Sequence, residues 1–285
     1  MGGQPFDPED VMKALYDELG KGPEDALCEA ICCDDEQQIH AYGLLLRGRP
    51  TLAAKKLAIQ KGRPDILKAL LVQDNLIEED LVAAACFDGD RACIRALLDA
   101  GWPINQPVGH DASMISLAVN NLDLMQWLVA NEADVNARNM LDESALSKAV
   151  VVGSMDLVHF LLAKGTDVQH VNRLHNAALR RDTVEGAALI QEFVKRGADP
   201  NEYRYQNPVA FRWRAPFDLP TPLRVACREV NIPVAHALLQ NGADPHRKML
   251  QSWEEVGSSP LQVAKESGRK DLIDVFGKFV VDAAD

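Results

Sequence analysis

A short apolar motif recurs along this chain, and its period constrains the fold more than any other feature. Two apolar residues, two variable ones and two more apolar ones appear as Ile66-Leu67 with Leu70-Leu71, Cys93-Ile94 with Leu97-Leu98, and Leu124-Met125 with Leu128-Val129. The pattern returns as Leu157-Val158 with Leu161-Leu162, Leu189-Ile190 with Phe193-Val194, and Val234-Ala235 with Leu238-Leu239. A last copy runs from Leu272-Ile273 to Phe276-Gly277. The copies end at 71, 98, 129, 162, 194, 239 and 277, so they are spaced by 27, 31, 33, 32, 45 and 38 residues. Apolar residues at i, i+1, i+4 and i+5 line one face of a helix, and a repeat of this period marks a stack of similar units.

Each of these helices has a stop and a shorter helix upstream. Gly101, Gly165, Gly197 and Gly242 sit three residues past the apolar pair, where a left-handed C-cap favours glycine. Ala-Asp turns follow at Ala133-Asp134, Ala198-Asp199 and Ala243-Asp244. Upstream, Thr221-Pro222-Leu223 and Ser259-Pro260-Leu261 place a hydroxyl N-cap before proline at the first helical position; Ser144-Ala145-Leu146 is a looser copy. Small Ala58, Ala85, Ala149, Ala226 and Ala264 then allow close approach of neighbouring first helices. One such pair cannot bury its apolar face alone, so stacking is obligatory and the ends need polar caps.

The segments TPLRVA (221–226), SPLQVA (259–264), LLAKGTDV (161–168) and QNGADP (240–245) carry a family resemblance. Over about residues 50–285 the chain resembles the ankyrin repeat family, whose unit is a β-turn plus two antiparallel helices. The resemblance implies an all-α ankyrin-repeat solenoid of about seven helix-turn-helix units with an N-terminal helical cap. We assign residues 1–49 to an acidic helical cap, with a degenerate repeat open at 30–46, and 50–285 to the array with insertions at 201–219 and 246–258. The first unit is short, so its connecting hairpin is expected to be missing. The fifth has an ambiguous first helix and extra residues near Arg181–Glu185. Asp7-Pro8-Glu9-Asp10 and Pro23-Glu24-Asp25 read as helix starts.

Composition narrows the function. The formal net charge is −12, and residues 1–36 alone hold eleven acids against Lys13 and Lys21. A nucleic-acid or anionic-membrane footprint needs clustered Lys and Arg, so neither partner is expected. No apolar run approaches the ~18 residues of a membrane helix, and the opening MGGQPF lacks a signal-peptide core. Six cysteines show no CxxC or Cys/His ligand spacing, which implies a reducing compartment, cytoplasmic or nuclear, without metal or other cofactor. Cys86, Cys93 and Cys227 fall at small core positions, and Cys32-Cys33 is assigned to a helical core position. No phosphate-loop, nucleophile-elbow or zinc-protease pattern is present. His159 and His236 occupy a solvated ridge slot, and His175 falls where the family has its structural TPLH histidine.

The resemblance implies a concave groove formed by hairpin tips and the exposed side of the first helices. Its tip and groove slots carry Phe87, His110, Asn120, Asn121, Met140, Leu141, Val151, Val152 and Arg228. Apolar residues at such nominally exposed slots suggest a contact patch, or cover by a long loop. The 201–219 insertion holds Tyr203, Tyr205, Phe211, Trp213 and Phe217 interleaved with Arg204, Arg212 and Arg214; the 246–258 insertion adds Trp253 and should lie beside it. Tyr, Trp and Arg are the types enriched at binding hot spots. The expected function is protein or peptide recognition by a monomeric, non-catalytic adaptor or scaffold. The alternative is an enzyme or small-molecule binder whose groove is closed by the 201–219 loop. An assembly chaperone using the acidic cap is a third option. Hairpin Asn136 resembles a hydroxylation target, but a side chain hydrogen-bonding its own turn is the reading we adopt.

Overall fold

The computed structural model describes residues 22–45, 52–73, 76–167, 172–205, 208–214 and 216–279. Asp7-Pro8-Glu9-Asp10 lies outside them. The chain divides into two compact units, Met1–Gly109 and His110–Asp285. Among the described residues the first holds three helix pairs: α1 (Pro23–Cys33) with α2 (Glu36–Leu45), α3 (Leu52–Gln60) with α4 (Pro64–Gln73), and α5 (Glu79–Asp88) with α6 (Arg91–Asp99). First helices stack in the order α1, α3, α5, and α4 stacks on α6. Helix α1 begins at Pro23 with Glu24 and Asp25 in its first turn, as its sequence predicts.

The second unit continues the plan. Pairs form from α7 (Met114–Leu117) and α8 (Leu122–Ala130), α9 (Ala145–Val152) and α10 (Met155–Ala163), and α11 (Arg173–Ala178) and α12 (Thr183–Lys195). After α13 (Pro208–Arg214), an extra helix inside the larger insertion, come α14 (Pro222–Arg228) with α15 (Ile232–Gln240) and α16 (Pro260–Glu266) with α17 (Lys270–Phe276). A two-stranded antiparallel hairpin, β1 (Met249–Gln251) and β2 (Glu254–Val256), occupies the second insertion. First helices stack as α7, α9, α11, α14, α16, while α12, α15 and α17 stack behind.

The apolar motif supplies the core. Leu97, Leu128, Leu161, Leu189 and Leu238 are all fully buried, as are Ala58, Ala85, Ala149, Ala226 and Ala264 at the first-helix contacts. A buried leucine contributes about 1.5–3 kcal/mol, so each copy of the motif stabilises the unit it sits in. Ser144 and Ser259 form capping boxes with Ser147 and Gln262, and the Thr221 hydroxyl accepts from the Arg224 N–H. Gly101, Gly165, Gly197 and Gly242 take positive φ of 103°, 78°, 93° and 87°, the left-handed stop that a Cβ disfavours.

Two features were not expected. The α11–α12 pair lengthens its second helix: α12 starts at Thr183, capped by Asp182, whose carboxylate accepts from the Val184 and Glu185 N–H groups. The residues near Arg181–Glu185 are therefore an added helical turn. Beside it, Arg180 is 7% exposed and closes the end of α9. Its Nη1 donates to the Val150 carbonyl at 2.9 Å and its Nη2 to the Gly153 carbonyl at 2.8 Å. Nε and Nη2 also reach Glu185 at 2.9 and 2.7 Å. Helix C-termini leave carbonyls unsatisfied, and here a neighbouring repeat supplies the donors.

Cys86, Cys93 and Cys227 are buried, and burial pushes each thiol up to about 12. Cys32 and Cys33 correct the expectation: both are exposed. They close α1, where left-handed Asp34 ends the helix, and the buried stripe of α1 runs instead through Ala26, Leu27, Ala30 and Ile31.

Candidate functional site

The hairpins are joined by a repeated side-chain device. Asp134 Oδ1 accepts from the Asn136 N–H within its own turn, while Asn136 Oδ1 accepts from the Asp167 N–H one repeat on, at 2.7 Å. Asn201 repeats this: its N–H donates to Asp199, its Oδ1 accepts from Asp244 N–H at 2.7 Å, and its Nδ2 donates to the Gly242 carbonyl. The Asn136 carboxamide thus registers one turn on the next, a structural role that the Ala-Asp-x-Asn spelling encodes.

His175 is fully buried, and its Nε2 lies 2.9 Å from the Pro220 carbonyl oxygen. A carbonyl only accepts, so Nε2 carries the proton. Burial, aided by the Arg204 charge, lowers its pKa to about 3, and the imidazole stays neutral. It ties α11 to the segment that enters α14. On the outer ridge, His159 is exposed beside Glu192, whereas His236 is half-buried with its ring edge-on to Phe279 at 5.7 Å.

In the first unit, Phe87 near the end of α5 is 73% exposed. In the second, His110 and Asn120 are exposed, and the His110 carbonyl accepts from Asn139 Nδ2. Asn121 is committed elsewhere: its Oδ1 caps α8 by accepting from Leu124 N–H at 2.9 Å. Met140 and Val152 are exposed at 61% and 59%, while Leu141 and Val151 are half-buried. Met140 and Leu141 sit in the hairpin before α9, Val151 and Val152 at the end of α9. That hairpin is braced by Arg138, which donates to Asp142 at 2.9 Å and to Asp167. Arg228, at the end of α14, is exposed and paired with adjacent Glu229.

The two insertions form one small module. Leu219 and Leu250 exchange backbone hydrogen bonds of 2.8 and 3.0 Å, which adds residue 219 to the edge of the β1–β2 hairpin. Gln251 Nε2 donates to the Pro216 carbonyl. The Phe211 ring meets Trp253 with centroids 4.3 Å apart. Tyr203 is buried: its hydroxyl donates to Glu255 at 3.1 Å and Arg247 lies over its ring at 4.5 Å. It joins the insertions to each other and is withdrawn from any outward surface. Tyr205, half-buried at φ 60°, donates its N–H to Asn172 Oδ1 and carries Arg204 and Arg214 over its ring at 4.9 and 5.3 Å. Arg212, Trp213 and Phe217 remain exposed, and Trp253, at the hairpin turn, is 75% exposed.

Among the described residues, no group of three or more His, Cys, Asp and Glu side chains is placed to hold a metal ion. No helix among them is long and apolar enough to cross a membrane.

Stacked helix-turn-helix pairs, small residues at their contacts and hairpins laced by Asx side chains define a helical repeat protein. The family model described as "Ankyrin repeats (3 copies)" matches residues 55–139 and 81–172, and the chain has the ankyrin-repeat fold. The crystal structure of the human ASB11 ankyrin repeat domain matches with a TM-score of 0.58 at 22% identity, covering 81% of this chain and 99% of that one. At that identity the likeness is one of fold. Among curated proteins, none matches the chain.

Proposed function

We propose that the chain is a non-catalytic adaptor or scaffold that recognises a protein or peptide. Ankyrin repeats generally mediate protein–protein interaction. The contact residues we assign are Phe87 in the first unit, then Met140, Leu141, Val151 and Val152, with the aromatic-arginine insertion as anchor. The observation that carries this reading is the set of large apolar side chains held in water. Phe87, Met140, Val152, Trp213, Phe217 and Trp253 are all at least 59% exposed. Leaving such a side chain out of a core forgoes about 1.5–3 kcal/mol each, a cost that binding recovers when a partner covers it.

The test is affinity capture from native cells with mass spectrometry, comparing wild type with Trp213→Ala and with Met140→Ser. These side chains are exposed, so both variants should fold normally. Each should weaken partner binding by about 2 kcal/mol, as hot-spot truncations do. A partner captured equally well by both variants would remove these residues from the interface.

A further inference from the structure

One stretch of the insertion module is cationic in an acidic chain, bordered by Glu202 and Asp218. Residues 203–217 hold three arginines, five aromatic residues and no acid, in a protein of net charge −12. Helix α13 turns this composition into a surface. On one side, buried Ala210 and the Phe211–Trp253 ring contact dock the helix on its neighbours. Residue 213 lies two positions from Phe211, about 200° around a helix of 3.6 residues per turn, so it points the other way. Trp213 is accordingly 61% exposed. Its neighbours Arg212 and Arg214 project about 100° to either side of it.

Among the described residues, no ion pair joins either arginine to an acid, and Arg214 meets only the rings of Tyr205 and Phe217, at 5.3 and 6.0 Å. Three other exposed arginines are paired: Arg196 with Glu192, Arg228 with Glu229 and Arg269 with Asp271. A guanidinium held over aromatic rings is preorganised and can still donate to a carboxylate.

We infer that the Arg212–Trp213–Arg214 face of α13 binds an acidic peptide segment, with an apolar side chain laid on Trp213 and carboxylates paired to the flanking arginines. This deepens the protein-recognition reading and rests on it. The carboxylates give orientation and rate, and the ring gives buried area.

The probe is a fluorescein-labelled peptide in which glutamates flank a single phenylalanine, titrated with the full chain and read by fluorescence anisotropy. Its glutamine counterpart and a labelled oligothymidine are titrated in parallel. The glutamate peptide should bind at least about tenfold more tightly than the glutamine peptide, and its affinity should fall as salt rises. Arg212→Gln with Arg214→Gln, and separately Trp213→Ala, should each weaken it by about tenfold or more. Equal binding of the glutamate and glutamine peptides overturns the inference without any mutation of the protein. So does absence of glutamate-peptide binding, indifference to the double variant, or tighter binding of oligothymidine, which would mark a single-strand surface instead. Met140 belongs to the hairpin before α9 and not to this module. Partner capture lost in Met140→Ser but kept in the double arginine variant would therefore sink the acidic ligand while sparing the recognition reading.

Discussion

Replacing Arg180 by alanine should destabilise the second unit more than any exposed arginine can. The guanidinium is 7% exposed and bonds to two carbonyls at the end of α9, those of Val150 and Gly153, and to Glu185. Ala149 O loses only a long contact of 3.4 Å, because it also accepts from Gly153 N–H at 2.8 Å. Truncation therefore strands two buried carbonyls and removes the cation facing Glu185. Each stranded buried acceptor costs about 1–3 kcal/mol. Glu185 adds less, because its side chain is 39% exposed and water can solvate it. The sum is about 3–5 kcal/mol, in the range found when one member of a buried ionic contact is deleted. In a repeat stack this loss falls on the interface between the α9–α10 and α11–α12 pairs, where stability is a sum of unit and neighbour contributions. Urea unfolding followed by circular dichroism should show either a lower midpoint or a split transition. Arg181→Ala is the control: Arg181 is exposed, and its loss should stay within about 0.5 kcal/mol. Arg180→Lys should recover part of the loss, since one ammonium cannot reproduce the fork. Indistinguishable unfolding of Arg180→Ala and Arg181→Ala would refute the reasoning.

Two further outcomes are expected. Ala226 is fully buried where α14 meets its neighbours, so Ala226→Leu should overpack that contact and cost about 1–3 kcal/mol in urea unfolding; unchanged stability would contradict the register. His175 makes stability depend on pH: its folded pKa of about 3 lies below the ordinary value of 6.5, so between these values only the unfolded chain takes up the proton. Stability should consequently fall as pH drops from 6.5 toward 3, by up to about 1.4 kcal/mol per pH unit from this group. Unfolding measured across that range should have a shallower pH slope in His175→Gln, and equal slopes would assign the dependence to other groups.

The repeat could be read from the chain because stacking imposes a local and periodic demand. The repeated second helices carry an apolar quartet, the first helices a small residue, and four of the stops a glycine, with Glu132 taking the left-handed stop after α8; these signals sit within a few residues of one another. Cys32 and Cys33 misled because two small apolar residues in a helix look alike whether they end on the covered or the open side. Asn121 and Tyr203 were legible as polar or aromatic types at slots where contacts are made. Their commitments, one to a helix cap and the other to Glu255 and Arg247, depend on which neighbours the fold brings within reach. The Arg180 clamp left no signal, since its acceptors are backbone carbonyls 27 to 31 residues away, and a carbonyl has the same spelling at every position.

By itself the amino-acid order determined the period, the helix pairs with their caps and left-handed stops, and the placing of aromatic residues and arginines in two insertions. Tertiary structure alone decided that the insertions join through Leu219 and Leu250 into one module, that Phe211 spends itself on Trp253, and that Trp213 is left facing water between two arginines. The division has a physical cause. Periodic burial and backbone capping act between residues close in sequence, whereas a long-range contact forms only after stacking has already fixed which surfaces meet.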